Sequence, residues 1–356
     1  MATTLYATGN ALAVKVWAKK LFEEALKQTY FARFMGEGTD NIVQIKKDVA
    51  KGPGDRITVG LRMQLTGAGV QGDNTLEGNE EALTTYSDNV YIDQLRHAVR
   101  SAGKMSEQRV TFDVREEARM GLQDWWADRL DSAFFNQICG NVSQGDTRYT
   151  GNQATIAPDA AHIKRAAGAS DQSITTTGVF SLSVIDKAVE AAATQVTGTS
   201  AILRPINYQG QAMYAAFLHP IQVTDLRTNT NTGQFLDIQK AAMTGGEVDD
   251  NPIFTGALGV YNNVVLHSAY RVGPGCNSST SAAVANTRRA VLCGAQAAVL
   301  VYGQNNADGE MTWVEELFDF GNQLGVSAGM IFGMKKTVFN AADFATIIMT
   351  SYAAAH

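Results

Sequence analysis

The chain is 356 residues long and 45% of its side chains are hydrophobic, which predicts two or three modules with sizeable cores. Only 18% of the residues are charged, against about 25% in ordinary soluble domains, so much of the surface is expected to face other protein. The formal charge of −6 argues against a dedicated nucleic-acid binder, because neutralising phosphates requires clustered Lys and Arg. No apolar run approaches the roughly 20 residues of a membrane span, so no membrane partner is expected.

The first residues and the cysteines indicate a chain made for a reducing cytosol. The N-terminus has no basic start followed by an apolar stretch, so no secretory signal is expected. Cys139, Cys276 and Cys293 are widely spaced and form no C-x-x-C pattern. We expect buried thiols here, not a disulfide or zinc framework.

Residues 11–34 form the first amphipathic segment. Val14, Trp17 and Leu21 recur at three- and four-residue intervals, and Gly36 follows the segment as a stop signal. The pattern predicts a helix that either docks on its own domain or lies as an arm on a neighbouring subunit. Periodicity leaves both interpretations open.

The clearest strand pattern runs from Ile57 to Leu65, where apolar and polar residues alternate. A second strand pattern covers about 89–99, and the 23 residues between them, 66–88, are rich in Gly and Asn. Loops beyond 12 to 15 residues are normally functional or disordered. This loop contains five acids and no Lys or Arg, namely Asp73, Glu77, Glu80, Glu81 and Asp88. We predict that these acids meet a basic surface of a neighbouring subunit, with Arg288 and Arg289 as its candidates.

The longest helical pattern covers 106–139 and predicts one helix of about 51 Å. Its apolar residues form two stripes, one from Val110 to Leu122 and one from Trp126 to Ile138, displaced by roughly 150°. The two halves are therefore expected to pack against different partners. Trp125 and Phe135 fall outside the second stripe and are expected to fill core gaps or, alternatively, to make a subunit contact.

The remainder of the chain predicts an α+β module. Residues 140–178 are polar and are interpreted as a loop, and 181–195 form a second amphipathic helix. Short apolar runs follow with turns between them, at 213–218, 253–260, 264–267, 289–301, 330–334 and 345–349. Alternation of helix and short strands is typical of α+β architecture.

Catalytic patterns are weak throughout the sequence. Gly67–Gly72 is a formal G-x-G-x-x-G after a strand, but an acidic, turn-rich stretch follows it where dinucleotide binding requires a helix. The five histidines form no metal-ligand pair, and His219, before Pro220, is expected to be a hydrogen-bonded structural residue. No nucleophile elbow is present. We therefore expect no enzyme activity, no cofactor and no metal.

The order of features resembles that of tailed-bacteriophage major capsid proteins of the Hong Kong 97-type fold, particularly the branch of short-tailed phages. The likeness spans most of residues 10–350. It is carried by the stretches Tyr214–Pro220, Asp225–Arg227, Asn251–Tyr261, Arg288–Ala297, Glu316–Asn322, Gly333–Lys336 and Phe339–Asn340.

The resemblance implies an α+β capsid fold with five parts. These are an N-terminal arm and helix at 1–38, an extended-loop hairpin with peripheral strands at 39–104 (tip 66–88), a peripheral domain with spine helix 106–139 at 105–180, an axial domain at 181–300, and a return to the peripheral domain at 301–356. Pentamers and hexamers of the chain would then form an icosahedral shell around double-stranded DNA. The negative charge suits a container within which DNA must move freely.

The resemblance also implies partners and a location, and this sequence differs from some relatives in two features. A portal protein, a separate scaffold, a possible decoration protein and non-specifically packaged DNA are the expected partners, in a virion assembled in the host bacterial cytoplasm. Some relatives crosslink their shells through a lysine on the extended loop, but no lysine occurs here between Lys51 and Lys104. The N-terminus also lacks a long charged prefix that could serve as a built-in scaffold. The alternatives are a same-fold shell around protein cargo and another virion structural protein such as a tail tube.

Overall fold

The computed structural model describes residues 25, 29–47, 54–63, 65, 67–111, 113–194, 202–208, 211–229, 257–303 and 311–356. Most of the predicted helix at 11–34, and residues 253–256 of the predicted run 253–260, lie outside the described residues. Within the described part, Phe31 and Phe34 are buried. Asp131 accepts hydrogen bonds from the backbone N–H groups of Tyr30 and Phe31 at 3.0 and 3.3 Å. Residues 29–34 therefore dock on their own domain.

Four α-helices and nineteen strands are present in the described residues. The helices are α1 (Lys104–Gln108), α2 (Val114–Ile138), α3 (Leu182–Ala193) and α4 (Pro220–Thr228). The strands before α3 are β1 (Met35–Gly36), β2 (Val43–Lys46), β3 (Arg56–Arg62), β4 (Thr85–Tyr91), β5 (Asp93–Arg100) and β6 (Ile163–Arg165). The next group is β7 (Ile206–Tyr208), β8 (Gln211–Leu218), β9 (Ala257–Tyr261), β10 (Val264–Ser268), β11 (Gly275–Cys276), β12 (Ala283–Val284) and β13 (Thr287–Cys293). The last group is β14 (Ala298–Tyr302), β15 (Thr312–Phe318), β16 (Gln323–Lys336), β17 (Val338–Phe339), β18 (Ala342–Asp343) and β19 (Thr346–Tyr352).

Two larger sheets organise the described chain. The first has the order β1-β2-β14-β16-β15, with β5 also paired to β16. The second has the order β6-β19-β13-β8-β10-β9, with β7 paired to β8. Three two-stranded pairs, β3–β4, β11–β12 and β17–β18, complete the pairing.

Alternation along the strands explains how the second sheet is buried on both faces. In β8, Ala215 and Phe217 belong to the core cluster that contains α2, whereas Ala216 and Leu218 belong to the cluster that contains α3. Successive side chains of a strand point to opposite faces, so this sheet is sandwiched between the two helices. The predicted α3 is confirmed, as are the buried, free thiols of the three cysteines.

The long helix α2 contacts both sheets in turn, and the change of sheet falls within its second half, not between the two predicted stripes. Trp126 packs edge-on against Phe332 of the first sheet, with ring centroids 6.1 Å apart. Further along, Phe134 and Phe135 contact Phe217 of the second sheet at 5.9 and 5.8 Å. Phe135 is fully buried and Trp125 stacks on a histidine ring of β5, so both fill the core as expected.

The predicted single helix over 106–139 is wrong at its N-terminal end. The chain leaves α1 after Gln108 and begins α2 only at Val114, which leaves a helix of 25 residues, about 37 Å long. Asp113 caps α2, because its side chain accepts a hydrogen bond from the backbone N–H of Arg115 at 2.9 Å. The available sequence signal is Asp113 itself, because Asp is a preferred residue type at a helix N-cap.

Two strand assignments near the predicted module boundaries also differ from the sequence pattern. The run 289–301 splits into β13, in the second sheet, and β14, in the first, around a corner where Gln296 has φ 61°. The strand β19 pairs with β13 in the second sheet, although the sequence expectation returned 301–356 to the domain of the long helix. None of the helices in the described parts of the chain is long and apolar enough to cross a membrane.

Candidate intersubunit surfaces

A hairpin stem, β3 paired with β4, carries a loop of 22 residues. The register runs from Arg56 opposite Tyr91 to Arg62 opposite Thr85, and the backbone N–H of Met63 bonds to the carbonyl of Thr84 at 3.0 Å. The strand pattern predicted at 57–65 is confirmed. The loop occupies 63–84, not 66–88, because the return strand begins four residues before the predicted position.

The acidic loop, 63–84, does not pack on its own core. All its described residues from 71 to 84 are exposed, and its three leucines expose more than half of their surface. These leucines are Leu65, Leu76 and Leu83. The loop exposes apolar side chains and four acids and contains no cation. It therefore offers both apolar and electrostatic contacts to another chain.

Two of the predicted contact acids shape the loop itself. Glu81 Oε2 accepts a hydrogen bond from the backbone N–H of Gly67 at 2.6 Å, across the loop. Glu80 Oε2 accepts one from the N–H of Gly78 at 2.8 Å. Asp73 and Glu77 make no ion pair or side-chain hydrogen bond with another described residue, so their carboxylates are available to a partner.

Asp88 lies elsewhere, in the stem and not in the loop. It is buried in β4, where its carboxylate pairs with Lys335 of β16 and accepts a hydrogen bond from the N–H of Val338 at 3.2 Å. Lys335 also donates to the carbonyl of Asn89 at 2.9 Å. This intrachain pair fixes the stem to the first sheet, so the carboxylate of Asp88 already has partners within its own chain.

Arg289 is likewise committed within the chain. Its guanidinium is buried and donates to Asp171 Oδ2, with Nη2 2.7 Å and Nε 2.8 Å from that oxygen. Nη1 donates to the carbonyls of Cys139 and Gly140, at 3.3 and 2.8 Å, where α2 ends. A cation there complements the negative end of the helix dipole. Arg289 therefore stabilises the subunit and is not available to the acidic loop of a neighbour.

Asp171 is the centre of this network. Its other oxygen accepts from Arg165 Nε at 2.8 Å, and the backbone N–H of Cys276 lies 3.2 Å from Oδ2. Burial alone raises the pKa of a carboxyl, but here the charges and hydrogen bonds of Arg289 and Arg165 outweigh burial and lower the pKa of Asp171. The carboxylate is ionised at neutral pH and holds four segments of chain together.

Arg288 has a different environment from its neighbour. It is half-buried and lines an open cleft with Ile221 and Ala353, and no ion pair joins it to another described residue. His219 lies close by and caps α4, because its Nδ1 accepts from the N–H of Ile221 at 3.3 Å. Burial and the Arg288 charge lower the pKa of His219 to about 4. The expected structural, hydrogen-bonded role of His219 is confirmed.

The seven predicted contact residues therefore fall into three groups in the structure. Asp88 and Arg289 are internal, Glu80 and Glu81 shape the acidic loop, and only Asp73, Glu77 and Arg288 keep charges without a described partner. Sequence reasoning missed the buried partners of the internal pair because Lys335 and Asp171 lie more than 100 residues away along the chain. At residue 88 the sequence did contain a signal of an internal ion pair, because an Asp occupies a position of the strand pattern that faces inward.

Metal binding and dinucleotide binding each require a particular arrangement of side chains or backbone. No group of three or more His, Cys, Asp or Glu side chains among them is arranged to hold a metal ion. The glycine-rich stretch 67–72 belongs to the exposed acidic loop and precedes no helix. A folded body that projects an unpacked, acidic and leucine-bearing loop has the features of a subunit whose contacts are completed by other chains.

Comparisons with known proteins agree with a shell subunit. A family model described as phage capsid protein matches residues 5–355. The major capsid protein of Pseudomonas phage KPP25 is 28% identical over 375 residues, covering 93% of this chain and 93% of that protein. The capsid of Ralstonia phage GP4 has a TM-score of 0.78 and 34% identity, covering 99% of each chain. The cyanophage Pam1 capsid asymmetric unit has a TM-score of 0.72 and 20% identity, covering 93% of this chain and 94% of that one.

The chain belongs to the phage capsid protein family. The predicted capsid identity and the Hong Kong 97-type α+β fold are confirmed by these likenesses. The protein is a structural subunit of a phage capsid shell and a component of the virion. Membership of the short-tailed branch stays a prediction.

Proposed function

We propose that copies of this chain form the pentamers and hexamers of an icosahedral shell that encloses double-stranded phage DNA, and that the acidic loop closes contacts between neighbouring subunits. The single observation that carries the role of the loop is its exposure: 22 residues leave a well-paired stem and bury none of their leucines against the subunit. Leaving three leucines in water is unfavourable, and burying them against a neighbour removes that cost.

The proposal extends to the partners and the site of assembly. A shell of this kind takes a portal protein and a separate scaffold, with a decoration protein as a further partner, and assembles in the bacterial cytoplasm. Three buried thiols suit that reducing compartment. The proposed domains follow the two sheets: the first sheet and α2 form the peripheral domain, and the second sheet and α3 form the axial domain, which then also takes in β6 and β19 from outside residues 181–300.

The stem makes a clean test of the loop possible. Residues 64–83 are replaced by Asn-Gly, so that Met63 and Thr84 are joined by a two-residue hairpin turn. The subunit is expected to keep its near-ultraviolet circular dichroism and its unfolding midpoint, because Asp88 and Val90 remain in place. Electron microscopy is expected to show capsomers or free subunits and no closed shells, whereas the full-length chain forms shells under the same conditions. Closed, stable shells from the shortened chain would contradict the role of the loop.

A further inference from the structure

Lys336 and Asp343 form an ion pair that is buried out of contact with solvent. Nζ lies 2.6 Å from Oδ1, and the two side chains are 0% and 1% exposed. A tight hairpin brings them together, because Val338 pairs with Asp343 across a turn of two residues, Asn340 and Ala341, which both have positive φ. Lys336 comes two residues before Val338 and is therefore a diagonal neighbour of Asp343 on the same face. Local pairing thus places Nζ against the carboxyl group.

The hydrogen-bonding capacity of this pair is left unused. The approach of Nζ to Oδ1 lies outside hydrogen-bond geometry, and in the described chain neither Lys336 Nζ nor Asp343 Oδ2 has another hydrogen-bond partner. An ammonium group carries three donors, and a carboxylate only accepts. The attraction within a buried ion pair outweighs the cost of desolvation only when the remaining donors and acceptors are satisfied. An uncharged amide in the same place would remove both charges.

Two other buried pairs of a cation with a carboxylate differ from this one. Lys335, the preceding residue, contacts Asp88 and also donates to the carbonyl of Asn89 at 2.9 Å. The Arg289 guanidinium donates to a carboxylate and to two backbone carbonyls. Of these three cations, Lys336 alone combines complete burial with no hydrogen bond of normal geometry.

A second carboxylate beside the pair favours the uncharged form of Asp343. Asp159 Oδ2 accepts hydrogen bonds from the backbone N–H of Asp343 at 2.8 Å and from His162 Nδ1 at 2.7 Å. Burial by itself would raise the pKa of Asp159, but these hydrogen bonds outweigh it and lower the pKa to about 2, so this carboxylate stays ionised. Burial raises the pKa of Asp343 against the effect of the Lys336 charge, and the charge of Asp159 adds to the rise. The Asp343 carboxyl therefore takes up a proton more readily than an exposed one.

We propose that Lys336 and Asp343 join through an amide bond between Nζ and Cγ, formed in the folded chain with the loss of one water. A proton first passes from the ammonium group to the carboxylate, which leaves an amine and a carboxylic acid. The lone pair of Nζ then forms a bond to Cγ, and a C–O bond breaks with its electron pair on the departing oxygen. That oxygen keeps the carboxyl proton, takes a second proton from Nζ and leaves as water. Nothing is oxidised or reduced, and no co-reactant is required.

The fold supplies what the same two groups lack in water. Holding well-oriented groups in contact corresponds to an effective concentration on the order of 10⁵ M or more. Burial favours the neutral amide over the ion pair and keeps bulk water from reversing the reaction. Asp159 acts as a positioning residue, because it holds the backbone of Asp343 and its charge favours the protonated carboxyl.

The bond would also secure the anchor of the hairpin stem. It closes a ring over residues 336–343, and this ring contains Val338, whose N–H donates to Asp88. Lys335, the cation that pairs with Asp88, directly precedes the ring. Both partners of Asp88 would therefore be held by a segment that cannot open locally.

Mass spectrometry of the unchanged chain tests the bond and requires no assembled shell. The intact, denatured chain is expected to weigh about 18 Da less than its sequence mass, which is the mass of one water. Trypsin locates the loss, since no Lys or Arg follows Lys336 in the sequence. Without the bond, trypsin cuts after Lys336 and releases 337–356; with the bond, it cuts only after Lys335 and releases 336–356, lighter by one water. Release of 337–356 at its full mass as the main product would overturn the proposal.

Lys335 is the control within the same digest, and cleavage after it shows that its side chain is unmodified. The variant Lys336→Met is expected to restore the full sequence mass, and a loss of water that persists in this variant would place the change elsewhere and overturn the bond. Since the unchanged chain alone decides the main point, the test does not depend on the folding of a variant.

The role of Asp159 has its own test. Asp159→Asn keeps an acceptor for the backbone N–H of Asp343 but removes the charge. In a time course after synthesis, the linked form is expected to appear roughly tenfold more slowly, the effect of about one pKa unit at Asp343. An unchanged rate in a variant with the circular dichroism of the unchanged chain would overturn the positioning role. All these measurements are made on the chain itself, so their failure is distinct from a failure of the proposed shell function.

Discussion

Replacing Arg289 by Met should destabilise the subunit far more than the same replacement one residue earlier. The Arg289 guanidinium is buried, pairs with Asp171 at 2.7 Å and donates to two carbonyls at the end of α2. Met fills most of the volume but makes none of these bonds, so Asp171 keeps only Arg165 and one backbone N–H. Removing one partner of a buried ion pair costs about 3–5 kcal/mol, which is a large share of the total stability of a domain.

The variant Arg288→Met is the matched control, because Arg288 is half-buried and has no ion pair with a described residue. We expect it to change the free energy of unfolding by no more than about 0.5 kcal/mol. Urea unfolding of the subunit is followed by tryptophan fluorescence, because Trp125 and Trp126 lie on α2, the helix whose C-terminal end Arg289 binds.

Adding Asp171→Asn to Arg289→Met removes the carboxylate that has lost a cation. The double variant should therefore be less destabilised than the sum of the two single changes. If Arg289→Met and Arg288→Met unfold at the same urea concentration, the assignment of Arg289 to the interior of the subunit is wrong.

Three further changes have distinct expected outcomes. Because the pKa of His219 is lowered to about 4, stability is complete above its unfolded value near 6.5 and falls as the pH drops toward 4, by about 1–2 kcal/mol after solvent screening. His219→Asn keeps the cap of α4 and should show a smaller loss over that window in urea titrations at several pH values. Lys335→Met leaves Asp88 buried without its cation and should cost about 2–4 kcal/mol, with faster hydrogen exchange in β4; exchange as slow as in the unchanged chain would refute the anchor. Glu81→Ala should speed proteolysis of the acidic loop whereas Glu81→Gln, which keeps an acceptor for Gly67, should not; equal rates would refute the cross-loop bond.

The elements that could be predicted from sequence are those whose pattern is set by local burial. The alternation at 57–65 and the apolar face of 181–195 gave β3 and α3 within a few residues. The break before α2 was visible only indirectly. The available signal was Asp113, an N-cap residue type inside the predicted helix, whereas the change between the two apolar stripes falls within the continuous helix α2.

The internal partners of two candidate contact residues were not predicted, and both omissions have the same physical cause. A charged residue is predicted to be exposed when its ion-pair partner is distant along the chain, as Lys335 is from Asp88 and Asp171 is from Arg289. A charge can be buried only with such a partner, and the partner cannot be identified from local spacing. The charge of the acidic loop was readable, but the bonds by which Glu80 and Glu81 shape it depend on loop geometry.

The corner between β13 and β14 was hidden for another reason. Residues 289–301 are apolar almost throughout, so hydropathy predicts one run, and only the Gly294–Ala297 stretch marks a change of direction. There the N–H of Ala295 bonds to the carbonyl of Arg204, and the N–H of Gln296 bonds to that of Asn41. The turn is thus held by two distant segments, one from each side of the corner.

The hairpin stem also has a mechanical consequence. The Asp88–Lys335 pair fixes the middle of the stem to the first sheet, and the three residues from Asp88 to Thr85, at about 3.3 Å each, make a lever of roughly 10 Å toward the loop. A rotation of about 10° at Asp88 moves the far end of the stem by roughly 2 Å by simple geometry on that length. The position of the exposed loop relative to the first sheet is therefore set by the angle of the stem at the Asp88–Lys335 pair.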